Sequence, residues 1–202
     1  MEDVFLGGFR RGELTALEWS DIDFENNTIT IRKSLALTKN GQAVVKDPKT
    51  EESFRTVDMP LWYMEELKIY YREWIKEKLK LGDMWQGEDH QYVFHGGFGK
   101  PYYFTVPTEQ WKRISKRHGL KQIRLHDLRH TAGTLLIEAG LAQGIDTDIT
   151  LKAVQERLGH KDFKTTADIY THVTKKASKA LAEQLDKFDP KNFVNKSSIT
   201  AK

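Results

Sequence analysis

The dipeptide Asn40-Gly41, set between the strand-like runs TITIRKSLALTK and QAVV, constrains the fold of this chain most strongly. Asn and Gly accept the positive φ angles of a two-residue hairpin turn, so the flanking runs are expected to pair antiparallel. Ile29 and Ile31 alternate with threonines ahead of it, and SFRTVDMP supplies a third strand that Pro60 ends. Around this small antiparallel sheet the apolar spacing becomes helical. Leu14 and Leu17 share one stripe of a helix predicted over Gly8–Trp19, with Arg10 and Glu13 three apart on another. Such a helix, this near the first residue, is expected to have preceding sequence to pack on. Met64, Leu67, Tyr71, Ile75 and Leu79 mark a long amphipathic helix from Leu61 to Gly82, opened by Pro60.

QYVF reads as a short strand before the turn HGGFGKP, which lacks the spacing of a nucleotide-binding loop. Helices are predicted over 106–118, 126–139, 151–158 and 162–173, with LAQGIDTDIT (141–150) as a loop between the second and third. Val173, Ala177, Leu181 and Leu185 then recur at four-residue steps, a stripe suited either to its own core or to a second copy. The fold class is α+β and mainly α: one domain over residues 1–186, followed by a polar, mobile tail over 187–202.

Composition excludes several classes. Of 202 residues 39% are hydrophobic and 30% charged, and no apolar run nears the roughly 20 residues that cross a bilayer. The absence of cysteine removes disulfides and thiolate zinc sites, and MEDVFLGG lacks a secretion-signal layout, so a cytoplasmic location is expected. A net charge of +3 permits nucleic-acid binding only if positive charge gathers on one face. Lys112, Arg113, Lys116, Arg117, Lys121 and Arg124 are candidates for a phosphate track, or for a solvated basic face.

The stretch IRLHDLRHTAGT admits three readings. His126 and His130, four apart, have the spacing of zinc-binding histidines, but the nearby guanidinium of Arg129 would repel a cation. A solvated helix start is the bland reading. The third places His126 and Arg129, three apart, toward one anion. It gains weight from Arg10 in GFRRGELTALEW, Lys49 in PKTEESFRTV, His160 in ERLGHKDFKTT and Tyr170 in ADIYTHV. Their order is Arg, Lys, His-x-x-Arg, His, Tyr. Each taken singly has a structural explanation: a surface arginine beside Arg11, a loop lysine, a helix-end histidine, a core tyrosine. His172, two residues past Tyr170, points elsewhere on the helix.

In this order the segments GFRRGELTALEWSDID, PKTEESFRTVDMP, LHDLRHTAGTLL and VQERLGHKDFKTTADIYTHV resemble the catalytic domain of the tyrosine recombinases, the phage-type integrases. The resemblance, from about Gly8 to Val173, implies that fold. It also implies a site-specific recombinase that cuts and rejoins DNA through a 3′-phosphotyrosyl link, without metal, ATP or other cofactor. It implies Arg10, Lys49, His126, Arg129, His160 and Tyr170 as catalytic residues and Glu13 as a supporting carboxylate. Double-stranded DNA attachment sites are the implied partner, with self-association into a tetramer on DNA. The family's separate DNA-gripping domain, upstream of the first arginine, is absent from this sequence. A type IB topoisomerase shares the tyrosine chemistry but does not typically carry a histidine in the place of His126, and an inactive DNA-binding regulator would not need the whole set.

Overall fold

The computed structural model describes residues 6–37, 40, 43–46 and 54–185. The first helix, α1 (Arg11–Thr15), is shorter than its apolar spacing predicts. From Leu17 the chain is extended and pairs with the QYVF segment: Val93 N–H donates to Leu17 O at 2.8 Å and Trp19 N–H to Gln91 O at 3.0 Å. A single turn of 3-10 helix (Trp19–Asp21) leads into β1 (Ile22–Asp23), followed by β2 (Thr28–Ile31), β3 (Ser34–Leu37), β4 (Ala43–Lys46) and β5 (Arg55–Asp58). The antiparallel pairing expected on either side of Asn40-Gly41 forms, but with Leu35 opposite Val45 and Leu37 opposite Ala43 the register is not that of a two-residue turn; Gly41 lies outside the described residues. The single expected sheet, however, is two: the β3–β4 ribbon and an antiparallel sheet in the order β1–β2–β5. Strand β2 passes over the hairpin to pair with β5, Ile29 facing Val57, because both strands bury alternate residues on one face.

That face packs on α2 (Leu61–Leu81). Tyr63, Met64, Leu67 and Trp74 are buried there with Phe9, Ile29, Ile31 and Val57, while Ile75 and Leu79, expected on the buried stripe, face solvent, Leu79 being 75% exposed. Trp74 takes over their role, its indole N–H donating to Tyr92 O at 3.0 Å. The remaining helices are α3 (Val106–Arg117), α4 (Leu125–Ala142), α5 (Thr147–Leu158) and α6 (Phe163–Leu185). Ile137, Leu151, Val154, Leu158, Ile169 and Val173 knit α4, α5 and α6 together, and Leu14, Trp111, Leu125 and Leu128 join α1, α3 and α4.

Most of the expected 141–150 loop is helix. Asp146 caps α5 by accepting hydrogen bonds from the backbone N–H groups of Asp148 and Ile149, so α5 starts at Thr147 and the loop shrinks to residues 143–146. Past Val173 the amphipathic stripe does not fold back on its own core: Ala177 is exposed and Leu181 is 68% exposed. The 187–202 tail and Lys49 lie outside the described residues.

Candidate active site

The site is built on the end of α5. A helix leaves its last carbonyls without partners in its own turn, and these carry the negative end of the helix dipole. Gly159 closes α5 in the left-handed conformation, φ +61°, and turns the chain away there. Three successive carbonyls then accept from three arginines of different elements. Arg55 Nε on β5 donates to Arg157 O at 2.7 Å, Arg129 Nη2 on α4 to Leu158 O, and Arg10 Nη2, just ahead of α1, to Gly159 O at 2.5 Å. Arg129 Nη1 also donates to Gly8 O. Gly8 has φ +66°, and a Cβ there would stand 2.2 Å from Leu158 Cδ2, so a side chain would prise the two segments apart.

One carboxylate balances this charge. Glu13, 3% exposed, accepts from Arg10 Nη1 (2.7 Å) and Arg55 Nη1 (3.1 Å) on Oε1, and from Arg10 N (2.8 Å) and Arg55 Nη2 (2.9 Å) on Oε2. The bond back to Arg10 N is half of a capping box for α1. Burial pushes the Glu13 carboxyl up, but Arg55 and then Arg10 outweigh it and bring it to about 2. Arg129, 2% exposed, is pushed down to about 9 by burial and the neighbouring Arg10, and stays cationic at neutral pH.

His160 follows this turn. Its N–H donates to Gln155 O at 3.0 Å, and its Nδ1 lies 3.0 Å from the fully buried Thr166 hydroxyl on α6. Burial, then Arg129 and Arg10, push the imidazole down to about 4, so it is neutral at physiological pH. Tyr170 stands four residues beyond Thr166, one turn along the same helix face, and packs half-buried against the α4–α5–α6 cluster.

His126 lies in the first turn of α4 at the rim. It was expected to point with Arg129 at one anion, but Arg129 turns inward while His126 is exposed. Its ring meets His130 edge to face at 5.1 Å and lines a cavity of about 350 Å3 with Phe9, Arg11, Thr108, Arg124 and Leu125. Partial burial, then His130 and Arg129, hold it below the usual histidine range. Of the Arg10–Arg11 pair, Arg11 is engaged elsewhere, over the Phe104 ring at 3.7 Å and donating to Thr108 Oγ1 at 2.9 Å.

Four residues singled out in the sequence, Arg10, Glu13, Arg129 and His160, are therefore gathered around one turn, and Tyr170 lies one helical turn beyond the Thr166 that meets His160. Sequence reasoning missed Arg55 and Thr166. The signal for Arg55 was its period-2 register with Val57, which turns an arginine inward on a strand.

The chain has relatives of known kind. The protein is 33% identical over 192 residues to a tyrosine recombinase XerC-like protein of Caldanaerobacter subterraneus, covering 91% of this chain and 47% of that one. It is 34% identical over 183 residues to the ICEBs1 integrase of Bacillus subtilis, covering 91% and 46%. The chain thus spans about half the length of these curated relatives. Among solved structures, the Tn1549 transposon integrase in complex with transposon right end DNA shares the fold, with a TM-score of 0.66 at 21% identity over 91% of this chain and 56% of that one. XerA recombinase does so with a TM-score of 0.62 at 24% identity over 90% and 55%. The model of the phage integrase family matches residues 1–177, and the chain belongs to that family.

Proposed function

We propose that this chain is the catalytic domain of a site-specific DNA recombinase that works on cytoplasmic DNA without metal or nucleotide. The observation that carries the reading is the cluster of Arg10, Arg129 and His160 at the α5 terminus, with Tyr170 one helical turn from the residue that holds His160. The Tyr170 oxygen attacks a DNA phosphorus, forming a 3′-phosphotyrosyl bond as the bond to the 5′ oxygen breaks. A phenol with a pKa near 10 needs help at neutral pH, and a neutral His126 takes its proton.

Each terminal nitrogen of Arg10 and Arg129 keeps a second hydrogen beyond those given to the protein. These face the two non-bridging oxygens, where charge builds at the five-coordinate phosphorus. A neutral His160 whose Nδ1 accepts from Thr166 carries its proton on Nε2, the form that donates to a phosphate oxygen. Lys49 protonates the departing 5′ oxygen. The covalent link retains the phosphodiester energy, so the 5′ hydroxyl of another strand can attack phosphorus, release Tyr170 and rejoin the DNA. The solvent-facing Ala177–Leu181 stripe supports self-association on DNA, as a tetramer that brings two attachment sites together.

The test is capture of SDS-resistant adducts from a random-sequence pool of nicked duplexes that trap the intermediate by losing the 5′ strand. Wild type is expected to enrich one site and to carry DNA on Tyr170, with no adduct from Tyr170→Phe. An adduct that persists in Tyr170→Phe removes the tyrosine from its role.

A further inference from the structure

Arg55 has no part in the six-residue set, yet it joins the same two parts of the site as Arg10 does. Its guanidinium holds both oxygens of Glu13, and its Nε donates to Arg157 O, the first of the three carbonyls on the α5 turn. Arg10 hangs on the same two objects: it is bonded to Glu13 through Nη1 and its own N–H, and to Gly159 O through Nη2. Arg129 is tied to Leu158 O on that turn and to Gly8 O, two residues before Arg10. The side chain that fixes both the carboxylate and the turn therefore fixes the two cations.

We propose that Arg55 is a positioning residue that locks Glu13 beneath Arg10 and pins the Arg157–Gly159 turn, so that the anion pocket is set before a phosphate arrives. The planar fork matters. Two bonds to the carboxylate and a third, from Nε, to a carbonyl use the fixed donor directions of a guanidinium, and a lysine ammonium can satisfy at most part of that set. Arg55 acts on rate, not on DNA affinity: a misplaced Arg10 still attracts the DNA backbone, but no longer meets the oxygens on which charge builds.

The proposal rests on the strand-cleavage reading for its kinetics but not for its geometry, and two measurements keep these apart. The first uses no DNA: side-chain ¹⁵N relaxation of the Arg10 guanidinium. It is expected to be ordered in wild type, mobile in Arg55→Met and intermediate in Arg55→Lys; unchanged order in Arg55→Met overturns the proposal. The second uses the nicked duplex selected above. Single-turnover adduct formation is expected to fall by about 100-fold in Arg55→Met, while the half-saturating DNA concentration stays within about three-fold of wild type.

The ratio of variant to wild-type rate is expected to rise with pH, because without Arg55 the buried Glu13 binds a proton more readily and releases Arg10. An Ile29→Ala protein, destabilised in the core that β2 shares with Val57 and Phe9 but keeping every bond of the arginine cluster, is expected to show neither the rate loss nor that pH dependence. Adduct formation within three-fold of wild type in Arg55→Met, or a rate loss matched by Ile29→Ala, overturns the proposal. Where Arg55 variants do not fold, Glu13→Gln keeps the volume and tests the same link: it is expected to mobilise Arg10, and an ordered Arg10 there counts against the proposal. Wild type that yields no adduct on any duplex sinks the cleavage reading alone, and the Arg10 order then decides the role of Arg55.

Discussion

His160 is the side chain through which pH acts on this site. In the unfolded chain it takes a proton near 6.5, whereas in the folded protein burial and the two arginines hold that back to about 4. Between these values the unfolded state binds the extra proton, so stability is complete above about pH 6.5 and falls as pH drops toward 4. The expected loss reaches about 3 kcal/mol by pH 4. Denaturant unfolding across this range should show a shallower slope in His160→Gln than in wild type, and equal slopes would mean that His160 does not titrate as described. Arg10, Arg129 and His160 were named from residue type and order along the chain, and Glu13 from the family resemblance of its segment. Arg55 was not, because its importance lies in what it touches across 42 positions to Glu13 and 102 to Arg157.

Among the elements, the turn that ends α5 does most to set the site. Gly159 adopts φ +61°, a conformation in which a Cβ costs about 1–2 kcal/mol, and its carbonyl is the one Arg10 holds. Gly144 sits at φ +73° with open space around it and no bond to the site. Gly159→Ala and Gly144→Ala are therefore expected to lose similar stability, about 1–2 kcal/mol, in thermal or urea unfolding. Adduct formation should fall in Gly159→Ala and hold in Gly144→Ala; parallel activities in the two would deny the carbonyl turn its place in the site. The cap at the other end of α5 offers a separate check: Asp146→Ala is expected to cost about 1 kcal/mol by loss of its bonds to Asp148 and Ile149. The spacing of apolar residues revealed most helices but not this cap, since TDIT lies beyond the apolar stripe that marks the helix.

At the scale of the molecule, the exposed basic residues of α3 and the segment after it set the expected DNA contacts. Arg113, Lys116, Arg117 and Lys121 face solvent, while Lys112 and Arg124 are each held by an acidic neighbour, Glu109 and Asp127. Duplex affinity should weaken as salt rises, and Lys116→Ala should reduce the slope of log affinity against log salt by about 1 if that lysine meets a phosphate. An unchanged slope would assign the cluster to a solvated face. The sequence by itself determined the order of chemical groups, the helical periodicity and the antiparallel pairing on either side of Asn40-Gly41, because these depend on neighbours within a few positions. Only the tertiary structure decided that β2 skips the hairpin to reach β5, that Trp74 replaces Ile75 and Leu79 in the core, and that three arginines share one helix end. Those outcomes depend on which buried charges and carbonyls meet from distant parts of the chain, and a buried guanidinium takes whatever acceptors the packing brings to it.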